Sequence, residues 1–99
     1  MDITLLYFED CPNWKVAEER LAVIAAERPD VTVVRHLVET QEEAKRLGFL
    51  GSPSIQVHGI DLFPQPGAQV GLTCRRYPTP GGHEGAPTLE QLRAAFTGA

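Results

Sequence analysis

The stretch ITLLYFEDCPNW, residues 3 to 14, joins an apolar run to a cysteine, a proline and a change of periodicity. The run from Ile3 to Phe8 shows no polar alternation, which is typical of a central strand covered on both faces in a layered α/β fold. Beyond it, four apolar residues recur at helical spacing: Trp14, Ala17, Leu21 and Ile24. That spacing predicts a helix of about four turns that ends before Pro29, with Cys11 at the strand-to-helix junction.

The middle of the chain predicts a second strand and a short helix. Residues 31 to 38, VTVVRHLV, are rich in β-branched side chains, and the arginine and histidine among them favour a place near the sheet edge. A strand, a helix and a strand in this order predict two parallel strands with a right-handed crossover. Thr40 and Glu43 have the spacing of a capping box, and the helix that they open is expected to end at Gly48.

A hairpin and a final helix are predicted further along. Ser54 to Val57 are expected to form a third strand, with a tight turn at residues 58 and 59 that leads to an antiparallel neighbour at Ile60. Thr88 and Gln91 repeat the capping-box spacing, and apolar residues three and seven positions after Leu89 give the stripe of an amphipathic helix.

The segment between the hairpin and the final helix is the least regular part of the sequence. Residues 63 to 87 hold many of the prolines and glycines of the chain. Because loops longer than about 15 residues are uncommon in compact domains, a strand is predicted within Val70 to Tyr77. Whether that strand or residues 60 to 63 form the outer strand of the sheet is left open.

Length and charge exclude several classes of function. Residues 1 to 99 suffice for a single domain, and the net charge of −4 argues against nucleic acid, whose phosphates require clusters of Lys and Arg. Asp2 stands where a signal peptide would be basic, and no apolar run approaches the roughly 20 residues that span a bilayer. We therefore expect a cytoplasmic protein without a membrane partner. Two cysteines are too few for the dense disulfides of secreted domains, so their thiols are expected to be free.

Cys11 is the leading candidate for chemistry. If the helix begins directly after it, Cys11 is the N-cap and Pro12 takes the first helical position. The free amides of Asn13 and Trp14 and the helix dipole would then favour the thiolate. Two acidic residues just before the cysteine oppose this effect, so we expect a pKa that is lowered, but not strongly. The alternative is that Cys11 is a small buried apolar residue.

Three stretches, ITLLYFEDCPNW, EAKRLGFLGSPSIQVHG and GAPTLEQLRAAF, resemble the thioredoxin/glutaredoxin-like family. The resemblance implies a thioredoxin-like α/β fold, β-α-β-α-β-β-α, with a mixed four-stranded sheet and an irregular insertion around residues 61 to 87. It also implies an active-site cysteine that caps the first long helix, and a cis-proline, preceded by a small polar residue, that packs beside it. Cys11 and the pair Ser52 and Pro53 occupy these positions. The alternative for Pro53 is an ordinary trans proline that begins a strand.

The sequence departs from the family at the second cysteine of the C-x-x-C motif, where Trp14 stands. A mixed disulfide formed by Cys11 would have to be resolved by another sulfur, either Cys74 or an external thiol such as glutathione. The resemblance implies that the strand carrying Cys74 ends near the proline. A disulfide between the two cysteines requires Cα atoms within about 7 Å. A buried structural role for Cys74 is the alternative.

Five further residues are predicted to contact a substrate: Ser52, Pro53, Pro12, Trp14 and Arg75. Arg75 and Arg76 would lower the pKa of the neighbouring thiol or bind the carboxylates of an anionic thiol, or else form a solvated edge. Trp14 is most simply an anchor on the core face of the first helix, and it could also shield the thiol.

These features predict a thiol-disulfide oxidoreductase whose nucleophile is Cys11 and whose partner is a disulfide-containing protein or glutathione. The alternatives are a protein whose two thiolates bind a soft metal such as mercury or copper, and an interaction module that has lost its chemistry. The three histidines have no metal-ligand spacing, so no metal site and no cofactor are predicted. The oligomeric state is left open.

Overall fold

The computed structural model describes residues 1 to 97, in which strands and helices alternate as far as the third strand and three more strands precede the last helix. The elements are β1 (Asp2–Tyr7), α1 (Trp14–Glu27), β2 (Thr32–Leu37), α2 (Gln41–Leu47), β3 (Ser54–Val57), β4 (Ile60–Asp61), β5 (Tyr77–Thr79), β6 (Gly82–Glu84) and α3 (Leu89–Thr97). Together they form a small mixed α/β protein with three helices and a mixed four-stranded sheet within the described residues. In these residues no helix has the length and apolar character needed to cross a bilayer.

The four-stranded sheet has the order β2-β1-β3-β4. β1 and β2 are parallel, whereas β3 is antiparallel to both β1 and β4. The predicted parallel pair and the edge position of the second strand are therefore confirmed. β4 is the outer strand at the opposite edge, which settles the alternative that the sequence left open.

The strand predicted within Val70 to Tyr77 is wrong. Among residues 70 to 76, only Cys74 makes a β-bridge, an isolated parallel one to Ser52. A separate hairpin of β5 and β6 follows. The backbone of this segment bonds to the loop before β3 instead of to a strand, since the amide of Gly71 donates to the Phe49 carbonyl at 3.1 Å. Prolines and glycines in the segment disfavour a continuous ladder.

Apolar side chains of β1 alternate between two clusters, because successive side chains of a strand point to opposite faces. Ile3 and Leu5 belong to the larger cluster, to which α1 and α3 contribute buried residues. Leu6 belongs to the smaller cluster, together with Ala44 of α2 and Phe49. The prediction of a central first strand covered on both faces is thus confirmed.

The predicted helix ends are confirmed for α2 and α3. The Thr40 hydroxyl accepts from the Glu43 amide at 3.1 Å, and Gly48 ends α2 with a φ of 67°. At α3, Thr88 and Gln91 bond reciprocally, each side chain accepting from the other residue's amide, at 2.9 and 3.1 Å. These caps satisfy amides that the first turn of a helix leaves without partners.

Candidate functional site

Cys11 and Cys74 are joined by a disulfide, with their Cα atoms 5.7 Å apart. The separation meets the geometric condition of about 7 Å that the sequence could not test. The expectation that both thiols are free is wrong for this structure. The contact brings together the end of β1 and the irregular segment before β5, which lie 63 residues apart in sequence.

Cys11 does not cap α1, contrary to the prediction. Its amide donates to the Phe8 carbonyl at 3.1 Å, which closes a turn between β1 and the helix. The Lys15 amide then bonds to the carbonyl of Pro12 at 3.1 Å in a tight first turn. The N-cap is Asn13, whose side chain makes no capping hydrogen bond. The turn that follows β1 therefore delays the helix by two residues relative to the prediction.

The sulfur of Cys11 lies inside the protein, since the residue is 0% exposed. It is 3.9 Å from the carbonyl oxygen of Ser52 and 4.0 Å from Nδ2 of Asn13. The amide donor placed against the sulfur is thus a side chain, and not the main-chain amides of the helix that the sequence predicted. Asn13 was not predicted as a site residue, and its tertiary contact has no signature in the sequence.

Ser52 and Pro53 lie beside the disulfide, and the peptide bond between them is cis, as the family resemblance implied. Ser52 is fully buried, and its hydroxyl has no hydrogen-bond partner among the described residues. Its main chain is hydrogen-bonded to the segment that carries Cys74. The Ser52 amide donates to the Thr73 carbonyl at 2.8 Å, and the Ser52 carbonyl accepts from the main-chain amide of Arg75 at 2.9 Å.

Gly51 allows this close approach of the two segments. A Cβ atom at this position would lie 3.1 Å from the side chains of Thr73 and Arg75, and the φ of Gly51 is +115°. Both the contact and the backbone conformation favour glycine. The glycine therefore helps to place Cys74 against the loop that carries Ser52.

Arg75 is not a surface residue that can bind a substrate, contrary to the prediction. Its side chain is 1% exposed and forms a 2.6 Å ion pair with Asp61 of β4. It also donates to the Ser54 hydroxyl at 3.2 Å and to the Phe63 carbonyl. The acidic partner explains the burial, because a buried charge requires a counter-charge and hydrogen bonds. Arg75 thus ties the irregular segment to the sheet.

Tyr77 connects β5 to the loop that carries the cis-proline. Its hydroxyl donates to the Pro53 carbonyl, and burial raises the pKa of Tyr77, so the phenol is neutral and remains a donor. The sequence did not indicate this contact, since nothing local distinguishes Tyr77 from an ordinary core aromatic.

Pro12 and Trp14 lie beside Cys11 in sequence but differ in environment. Pro12 is exposed. Trp14 is half-buried, and its ring packs against Tyr7 at 4.5 Å between centroids, with the Arg35 guanidinium 5.4 Å from the ring centre. It belongs to neither apolar cluster within residues 1 to 97, so the expected place on the core stripe of α1 is wrong.

No family model, curated protein or solved structure matches this chain. Within the described residues, no group of three or more His, Cys, Asp or Glu side chains is arranged to hold a metal ion. The arrangement offers one evident chemical capacity, the reversible exchange of a single disulfide with external thiols.

Proposed function

We propose that this chain is a thioredoxin-like thiol-disulfide exchange protein in which the pair Cys11 and Cys74 cycles between disulfide and dithiol. The partner is a disulfide-containing protein or a small thiol such as glutathione. The pair replaces a C-x-x-C motif by two cysteines that are distant in sequence and adjacent in the fold.

The observation that carries the proposal is the position of this pair in the sheet topology. Cys11 lies between β1 and α1, and Cys74 is bridged to Ser52 just before β3. β1 and β3 are antiparallel neighbours, so the turn after β1 and the loop before β3 meet at one end of the sheet. The resemblance to the thioredoxin/glutaredoxin-like family supports the proposal through the strand order and through the place of Cys11 between β1 and α1, although Cys11 is not the N-cap.

The surroundings of the pair suit exchange by an external thiol. Pro12, next to Cys11, and Cys74 itself are exposed. Ser52, which is bridged to Cys74, and the adjacent Pro53 are buried. In the cycle two external thiols give up two electrons and two protons, forming an external disulfide, while the protein disulfide becomes two thiols.

The test is reduction of a glutathionylated peptide by glutathione, coupled to glutathione reductase and NADPH. We expect the wild type to exceed the uncatalysed rate and the double variant Cys11→Ser/Cys74→Ser to show no excess. Val23→Ala, an exposed change in α1, serves as the control that should retain full turnover. Wild-type turnover equal to that of the double variant would contradict the proposal and favour a soft-metal or interaction role.

A further inference from the structure

We propose that Cys74, and not Cys11, is the cysteine that exchanges directly with the partner, while Cys11 is the internal resolving sulfur. The inference rests on the proposed function and assigns roles within it. It reverses the roles expected from the sequence, where the position of Cys11 before the first helix favoured it as the nucleophile.

The two halves of the disulfide differ in accessibility. Cys11 is 0% exposed, whereas Cys74 is an exposed residue between the exposed Thr73 and the buried Arg75. A thiolate attacks a disulfide at the sulfur that it can reach, along the line of the S–S bond. Attack on Cys11 would require a residue that is completely buried to become accessible, while Cys74 already lies at the surface.

Charge favours the same direction of approach. Glu9 and Asp10, both exposed, precede Cys11 and repel a thiolate or a carboxylate-bearing thiol on that side. On the other side Arg76 is exposed and uses one guanidinium nitrogen to donate to the His83 carbonyl at 2.9 Å. The guanidinium group is planar and rigid, and its other N–H groups have the arrangement that binds a carboxylate. The chemical class that fits is therefore an anionic thiol, of which glutathione is one member.

The step balances as an ordinary exchange. An external thiolate RS⁻ forms a bond to the Cys74 sulfur, the S–S bond to Cys11 breaks, and Cys11 leaves as a thiolate. A second RS⁻ then attacks the external sulfur of the mixed disulfide, which yields RSSR and the Cys74 thiolate. By microscopic reversibility, Cys74 attacks the substrate disulfide in the opposite direction and Cys11 resolves the mixed disulfide.

Asn13 is positioned to assist the departure of Cys11. Its side chain makes no capping bond, and Nδ2 lies 4.0 Å from the Cys11 sulfur. The glycine at position 85 leaves room for this amide, because a Cβ atom there would lie 2.4 Å from the Asn13 side chain. A hydrogen bond to the leaving sulfur stabilises the thiolate, so Asn13 acts as a positioning residue for this step.

The first experiment compares the two single-cysteine variants in their reaction with glutathione disulfide. Cys11→Ser retains the exposed thiol and Cys74→Ser retains the buried one. We expect the glutathione adduct to form at least about tenfold faster in Cys11→Ser, because access controls the rate of exchange. An equal rate, or a faster reaction in Cys74→Ser, would overturn the assignment.

The second experiment uses the intact oxidised protein and so does not depend on the folding of a variant. Glutathione is added, the exchange is stopped with acid at short times, and the mixed disulfide is located by peptide mapping. An adduct on Cys74 supports the inference. An adduct on Cys11 overturns it while leaving the proposed function intact, whereas absence of any adduct together with absence of turnover overturns both.

The role of Asn13 has a readout that a purely structural role would not move. Asn13→Ala should slow the reduction of the oxidised protein by glutathione several-fold, because Cys11 becomes a poorer leaving group. In the Cys11→Ser background the same substitution should leave the attack of Cys74 on glutathione disulfide unchanged. Equal slowing in both assays would contradict a specific action on Cys11.

Discussion

Residues 1 to 57 and residues 62 to 87 are held in place by different means. The first region is fixed by apolar burial, with Leu5, Leu21 and Ile55 completely inaccessible to solvent. The second region also buries apolar residues such as Tyr77 and Ala86. It is attached in addition by specific groups: the disulfide, the buried Arg75 ion pair and the bond of the Tyr77 hydroxyl to the Pro53 carbonyl. Apolar burial is spread over many contacts, whereas each specific group is a single point whose loss should loosen the whole segment.

The largest expected effect comes from reduction of the disulfide. With a sequence separation of 63 residues, the chain-entropy relation gives a loss of about 4 kcal/mol in the free energy of unfolding. Urea denaturation with and without a strong reductant measures this loss. In the reduced protein, amide hydrogens between residues 62 and 87 should exchange faster than in the oxidised protein. The double variant Cys11→Ser/Cys74→Ser should not respond to reductant. Equal stability of the two redox forms would show that the second region does not depend on its covalent link.

Arg75→Ala should be the next most damaging change. Removing one partner of a buried ion pair costs about 3 to 5 kcal/mol. We expect about 3 kcal/mol, the lower end of that range, because 12% of the Asp61 side chain remains exposed and can be solvated. Urea denaturation is the measurement. Arg76→Ala, an exposed neighbour of the same type, should change the stability by less than about 0.5 kcal/mol. If the two variants were equally stable, the ion pair would not be an anchor.

The same contrast explains what the sequence could and could not predict. Periodicity and capping boxes identify α2, α3 and the parallel pair of β1 and β2, because these depend on local spacing and on apolar faces. The burial of Arg75 was not predictable, since its partner Asp61 belongs to β4, 14 residues earlier, and only tertiary packing brings them together. The start of α1 was predicted two residues too early, because no local motif indicates the turn that the Cys11 amide closes by donating to the Phe8 carbonyl.

For the candidate site, residue types were easier to predict than environments. The cis bond at Pro53 was expected only from the resemblance, and the pairing of Cys74 with Cys11 was left open, because no local feature predicts either. Accessibility has no signature in either cysteine's neighbours in sequence: an exposed turn precedes Cys11, which is buried, and a buried arginine follows Cys74, which is exposed. The difference in accessibility on which the proposed roles of the two sulfurs rest is therefore seen only in the fold.

A smaller effect on stability is expected from the loss of a single hydrogen bond between the two regions. Tyr77→Phe removes the donor to the Pro53 carbonyl and leaves a buried acceptor without its partner, which costs about 1 to 2 kcal/mol. The matched control is Tyr7→Phe, because the Tyr7 hydroxyl makes no hydrogen bond within the described part of the chain and its loss should cost less than about 0.5 kcal/mol. Urea denaturation of both variants tests this. Equal losses would mean that removal of the phenol oxygen, rather than the bond, sets the cost.

The smallest effect lies in the first region, at the start of α2. The main-chain amide of Glu39, which donates to the Glu43 carboxylate at 3.0 Å, lowers the pKa of Glu43, with a further contribution from His36. Because the folded protein binds this proton less readily than the unfolded chain, the contribution is present above the ordinary pKa of Glu and is lost as pH falls through the lowered value. Between pH 6 and pH 3, the melting temperature of Glu43→Gln should therefore fall less steeply with decreasing pH than that of the wild type. Glu42→Gln, the same change one residue earlier, is the control for the loss of one negative charge at the start of this helix. An identical slope in all three proteins would mean that the Glu43 carboxylate contributes no pH-dependent stability to this helix start.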